Sequence, residues 1–196
     1  MLREMRSEDR PKEWIRHRSA DKSTDKSTDK SADLSAKDKP KDISSRAKAG
    51  DEAILIRRFR PSDLGDVMDL DREVFGGYDP AIFTAFYEYH PRTILVAEKM
   101  GTIVGFILGF KHSPMEGRIF WLAVRPGYQS RGIGRRLLTT MLRIFRVMGA
   151  ISATLEVRIG NKKAQALYAS MGFEMVSISP GYYSDGEAAI IMRRRL

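Results

Sequence analysis

Residues 124–138 read Val-Arg-Pro-Gly-Tyr-Gln-Ser-Arg-Gly-Ile-Gly-Arg-Arg-Leu-Leu, and their types and spacing suit the binding of a polyanion. An apolar strand end (Leu122, Ala123, Val124) runs into a Pro-Gly turn. A polar loop of Gln129, Ser130, Arg131, Gly132, Ile133, Gly134 and Arg135 then opens an amphipathic helix. Glycines where a helix begins let the backbone approach a ligand closely, and the free N–H groups there attract anions. Arg131 and Arg135 oppose the helix dipole at that end, so a bound anion is their economical explanation. Two other phosphate loops do not fit. A Walker loop ends in Gly-Lys-Ser/Thr, whereas Arg135 follows Gly134. A dinucleotide fingerprint needs three glycines after a first strand and an acidic residue about 20 positions on.

A second group lies at Leu155-Glu156-Val157-Arg158, followed by Asn161, Ala164, Leu167 and Tyr168. A carboxylate inside an otherwise apolar strand must face outward or serve a purpose, which singles out Glu156. Asn161 is placed to cap a helix, and Tyr168 falls two turns along on roughly the same face. Capping and core packing are the ordinary roles of such an Asn and such a Tyr.

The spacing Gln-x-x-Gly-x-Gly at 129–134 resembles the acetyl-CoA pyrophosphate loop of the GNAT acetyltransferases. The segment from Leu155, with Leu-Tyr-x-x-x-Gly-Phe at 167–173, resembles the RimI-type protein N-terminal acetyltransferases. That likeness continues through Tyr182-Tyr183-Ser184-Asp185-Gly186-Glu187-Ala188 to Ile191-Met192, and it covers about residues 54–195. It implies acetyl-CoA as co-substrate, bound by the loop and by Asn161 beside the Leu122–Val124 strand. It implies Glu156 as general base and Tyr168 as general acid, with Tyr182, Tyr183, Phe75 and Tyr78 on the acceptor side. The acceptors so implied are protein N-termini, nascent or ribosomal proteins among them. Two departures stand out. Residues 75–80 carry no Glu where many eukaryotic-type relatives have one, and Trp121 stands where relatives often have Ser, Asn or Thr. The first favours Glu156 as base. The second either narrows the acceptor side or packs the core.

The implied roles suit acyl transfer. An α-ammonium of pKa near 8 must lose a proton before attack, and a carboxylate acting through water can take it. Backbone N–H groups along Leu122–Val124 can stabilise the oxyanion. The leaving thiolate, with a thiol pKa of roughly 8.5, gains from a proton donated by Tyr168.

Composition divides the 196 residues unevenly. Residues 1–52 carry the repeats Asp-Lys-Ser-Thr, Asp-Lys-Ser-Thr and Asp-Lys-Ser-Ala, with few apolar residues, and are expected to be a disordered, charged extension. They hold fourteen Lys or Arg against twelve Asp or Glu, so most of the net charge of +9 belongs to residues 53–196. A polyanionic co-substrate explains part of that excess, and no sequence-specific nucleic-acid motif appears. Cysteine is absent, and His17, His90 and His112 lack metal-ligand spacing, so no metal is expected. No apolar run approaches a membrane span or a signal sequence, and a soluble, cytoplasmic monomer or weak dimer is expected.

Periodicity from residue 53 predicts the order β-α-α-β-β-β-α-β-α-β-β. Ile54–Ile56 starts the first strand, Pro61-Ser62-Asp63 signals a helix start, and Met100-Gly101-Thr102 marks a hairpin. Ile133, Leu137, Met141, Ile144 and Met148 trace one helix face. Such an order predicts an α/β (α+β) class, a mixed central sheet flanked by helices, and it resembles the GNAT fold. Two alternatives stay open: acetylation of a small amine such as a polyamine or amino-sugar, and a non-catalytic acyl-CoA-binding or ribosome-associated module.

Overall fold

The computed structural model describes residues 54–77 and 80–196, so Tyr78 and the expected 1–52 extension lie outside the described residues. The strands are β1 (Leu55–Arg58), β2 (Ile94–Lys99), β3 (Thr102–Ser113), β4 (Glu116–Val124), β5 (Ser152–Arg158), β6 (Glu174–Ser179) and β7 (Ala189–Arg195). The helices are α1 (Leu64–Phe75) and α2 (Pro80–Tyr89) between β1 and β2, α3 (Ile133–Val147) after β4, and α4 (Lys162–Ser170) after β5. Short 3-10 turns sit at Pro61–Asp63, Pro91–Thr93 and Pro126–Tyr128. Each begins at a proline, whose fixed φ and missing N–H suit a first helical position.

The strands form one seven-stranded sheet in the order β1-β2-β3-β4-β5-β7-β6. Every adjacent pair is antiparallel except β4 and β5, which run parallel. Alternating side chains send the sheet into two packed layers. Leu95, Ile107, Ile119, Leu155 and Val157 meet Leu137, Met141 and Phe145 of α3 and Tyr168 of α4 in one cluster. On the other face Phe83 of α2 stacks on Trp121 at 5.3 Å, and Phe86 sits 5.1 Å from Phe120. Trp121 is thereby a buried packing residue, the second of the two roles the sequence allows it. The close approach of α3 requires glycine at residue 117, where a Cβ would collide with the Phe145 ring.

One irregularity shapes everything that follows. Between β3 and β4 the register steps from Leu108↔Trp121 to Gly109↔Ile119, so Phe120 is an extra residue in β4. Such a bulge bends its strand and reverses the facing of the residues beyond it. The parallel pairing of β4 with β5 covers Glu116↔Ser152 to Ile119↔Leu155 and stops there. Beyond that point β5 stays paired with β7 as far as Arg158↔Ala189, while β4 stays paired with β3 as far as Val124↔Gly105. The two strands part, and a cleft opens between them.

Candidate active site

The cleft, of about 740 Å³, is walled by Leu122, Ala123 and Val124 of β4. Its other boundaries are the loop before α3, the loop and first turns of α4, and Phe75 at the end of α1. Arg125 N–H donates to Val104 O at 2.9 Å, so strand alternation turns the N–H and C=O of Leu122 and Val124 away from β3, into the gap. Their amides are the free edge of the parted strand.

Gly132 enters α3 with φ +78°, a conformation glycine adopts without strain. The first bond from helix to loop is Arg136 N–H to Gly132 O at 3.0 Å, so the amides from Ser130 to Arg135 find no backbone acceptor among the described residues. Unpaired donors and the positive end of the helix dipole are the features that attract anions at a helix mouth, and the Arg135 side chain lies at the same end. A Cβ on Gly134 would sit 3.4 Å from Leu167 and 3.8 Å from Val124, between the two walls. Gln129 acts through its side chain as well. Its Nε2 donates to Val124 O at 3.0 Å and its Oε1 accepts from Lys163 Nζ at 2.8 Å, bracing β4 against α4 across the cleft.

Asn161 caps α4, its Oδ1 accepting from Ala164 N–H at 3.1 Å, and it also lines the cleft. Tyr168 lines the same wall, 8 % exposed, and its hydroxyl has no hydrogen-bond partner among the described residues. Burial pushes its phenol up to about 12. The group therefore stays protonated at neutral pH, as an acid must.

Of the expected site residues, Leu122 to Val124, Gln129, Ser130, Gly132 to Arg135, Asn161, Phe75 and Tyr168 share this cleft. Arg131 does not line it; its guanidinium lies over the Tyr128 ring, 5.6 Å from the centroid. Glu156, Tyr182 and Tyr183 also lie outside the lining and form a neighbouring group. Glu156 is gripped at both oxygens by Arg118, Nη2 to Oε1 at 2.9 Å and Nε to Oε2 at 3.2 Å. Arg118 Nη2 also reaches Tyr182 Oη at 3.4 Å. Tyr183 is buried against Tyr182 and beneath Arg158, whose guanidinium is 3.9 Å from its ring centre.

Arg158 and Glu187 are lining residues that the sequence reading did not single out. Arg158 Nη1 pairs with Asp185 at 2.9 Å and with Glu187 at 2.7 Å. Glu187 also accepts from Gly160 N–H at 2.8 Å, tying the turn that carries Tyr182 and Tyr183 to the loop before Asn161. Arg118 was equally missed. The reasoning that marked Glu156, a charge inside an apolar strand, applies to Arg118 with the opposite sign and would have paired the two.

The model of the Acetyltransferase (GNAT) family matches residues 64–173, from α1 to the end of the α4 turn. The chain belongs to the GNAT acetyltransferase family. It is an acetyl-CoA-dependent N-acetyltransferase of RimI-like type. The N-alpha-acetyltransferase RimI of Mycobacterium tuberculosis is 36 % identical over 154 residues, covering 74 % of this chain and 95 % of that protein. The crystal structure of Ard1 from Thermoplasma volcanium superposes with TM-score 0.71 at 32 % identity, over 74 % of this chain and 98 % of that one. The ribosomal-protein-S18-alanine N-acetyltransferase of Escherichia coli gives TM-score 0.65 at 29 % identity, over 73 % and 94 %. Among the described residues of this acetyltransferase, no helix is long and apolar enough to cross a membrane.

Proposed function

We propose that this acetyltransferase moves the acetyl group of acetyl-CoA to the α-amino group of protein N-termini, by direct attack of the amine on the thioester carbon. The observation that carries the reading is the parted β4–β5 edge, where free β4 amides, the open α3 mouth and the Tyr168 hydroxyl border one cleft. The mouth of α3 and Arg135 take the pyrophosphate, and Asn161 lies along the same path. The Leu122 and Val124 edge offers N–H groups to the oxyanion as the carbonyl becomes tetrahedral. Tyr168 delivers its proton to sulfur as the C–S bond breaks. Glu156, held in place by Arg118, receives the amine's proton through water. Tyr182 stands beside that pair and Phe75 at the mouth, where an incoming peptide passes. Names of relatives point the same way: the M. tuberculosis protein is named an N-alpha-acetyltransferase, and the E. coli protein a ribosomal-protein-S18-alanine N-acetyltransferase.

The test is thiol release from acetyl-CoA with peptides of varied first residue, with their Nα-blocked, lysine-containing counterparts, and with spermidine. Free N-terminal peptides should react fastest, and mass spectrometry should place the acetyl group on the α-amine. Faster acetylation of spermidine or of internal lysines than of any free N-terminus would overturn the reading.

A further inference from the structure

The outer face of α3 carries charge that acetyl-CoA does not explain. From Gly117 to Leu155 the chain has seven arginines and no acidic residue. Four of them, Arg135, Arg136, Arg143 and Arg146, project exposed from α3, whose apolar face is buried against the sheet. At about 100° per residue the four fall within roughly one third of the helix circumference, in a row about 16 Å long. Among the described residues Arg135 and Arg136 bond only neutral acceptors, Ser170 Oγ at 2.7 Å and Ile54 O at 2.6 Å, so no described carboxylate cancels their charge. Arg143 and Arg146 form no ion pair among the described residues.

Arg135 is accounted for by the pyrophosphate at the α3 mouth. Arg146 suits the C-terminal end of the helix dipole. Neither reason covers the row. Arg143 lies nine residues beyond Gly134, about 13 Å along the axis and past the reach of an anion at the mouth. A run of like charges also repels itself, so it persists best where an anionic partner meets it.

We infer that the outer face of α3 is a docking surface for the phosphate backbone of double-stranded RNA. Guanidinium forks match phosphate bidentately. Besides the arginines this face carries Thr139 and Thr140, both partly exposed, and a single exposed apolar residue, Val147, with no aromatic ring on which single-stranded bases could stack. It also lacks the Trp, Phe and Leu that a surface helix inserts into a lipid interface, because the apolar side of α3 is committed to the core. Contacts of this kind read shape and charge rather than sequence. The choice of RNA rests on the proposed acceptors, since nascent and ribosomal N-termini emerge from an RNA-rich surface; the phosphate docking itself does not.

The experiment uses the full chain without acetyl-CoA or peptide, so its failure is separate from that of the acceptor reading. Binding of a labelled 20-base-pair RNA duplex is followed by fluorescence anisotropy from 50 to 200 mM KCl. The triple variant Arg136→Gln/Arg143→Gln/Arg146→Gln should bind about tenfold or more weakly at 100 mM salt. Its plot of log K against log salt should be shallower by about 2–3. Its acetylation of a free peptide should stay within about twofold of the parent, showing an intact cleft. An unchanged salt slope in the variant would overturn the proposal. So would tighter parent binding to the single strand, to duplex DNA of the same length, or to phosphatidylserine vesicles.

Discussion

Replacing Arg118 with leucine tests whether the strand pair around the cleft is held by charge. The Arg118 and Glu156 side chains are only 11 % and 13 % exposed, and both carboxylate oxygens of Glu156 are engaged. Removing one member strands a charge in a nearly dry site, which typically costs about 3–5 kcal/mol. For a domain of this size each kcal/mol lowers the melting temperature by about 2–4 °C, so a fall of about 6–20 °C is expected by calorimetry. The double variant Arg118→Leu/Glu156→Leu removes both charges. It should recover most of that loss, because a buried pair is often replaced by apolar groups at little net cost. On the proposed mechanism it should not recover turnover, since it also removes the carboxylate assigned there to the amine's proton. A single variant that melts within about 2 °C of the parent, or a double variant no more stable than the two single losses summed, would refute the reasoning.

Three further outcomes can be checked directly. Glu156→Gln should lower kcat by about 10²–10⁴-fold with acetyl-CoA affinity retained, and near-normal turnover would move the base elsewhere. Because burial raises the Tyr168 phenol to about 12, activity should show no basic limb from this group below about pH 11. Its contribution to stability, roughly 3 kcal/mol, should be present below pH 10 and vanish as pH climbs to about 12; Tyr168→Phe should abolish that loss in a pH series of denaturation curves. Gly134→Val should weaken acetyl-CoA binding at least about tenfold by calorimetry, since its side chain starts between Leu167 and Val124, and unaltered affinity in a folded variant would contradict the placement.

Much of the architecture was legible because local signals agreed with the fold. Apolar residues at helical spacing put Leu137, Met141 and Phe145 on one side of α3, and that side is the buried one. Met100 and Gly101 both have positive φ, as the tight turn between β2 and β3 requires. The α3 side of the cleft was legible for the same reason, its donors lying within a few residues of one another. The side built from β5 and the turn before β7 was not. Arg118 and Glu156 are 38 positions apart, and Arg158 and Glu187 are 29 apart, so only sheet pairing brings them together. Tyr182 and Tyr183 were expected together on the acceptor side; the Tyr183 ring lies buried under Arg158, and Tyr182 is the phenol beside the Arg118–Glu156 pair. The parting of β4 and β5 left no mark either, since Phe120 reads as an ordinary apolar residue within a strand.

The bulge at Phe120 also makes catalysis a matter of counting. Side chains alternate along a strand, so one extra residue changes odd to even for everything after it, and Leu122 to Val124 owe their facing to that change. A deletion of one residue at Phe120 would leave the loop, Glu156 and Tyr168 intact in sequence while restoring even pairing between β4 and its neighbours. Strand β4 could then close on β5, with no seam left for a substrate. Such a chain would keep every recognisable motif of an acetyltransferase and have lost the place where the motifs meet.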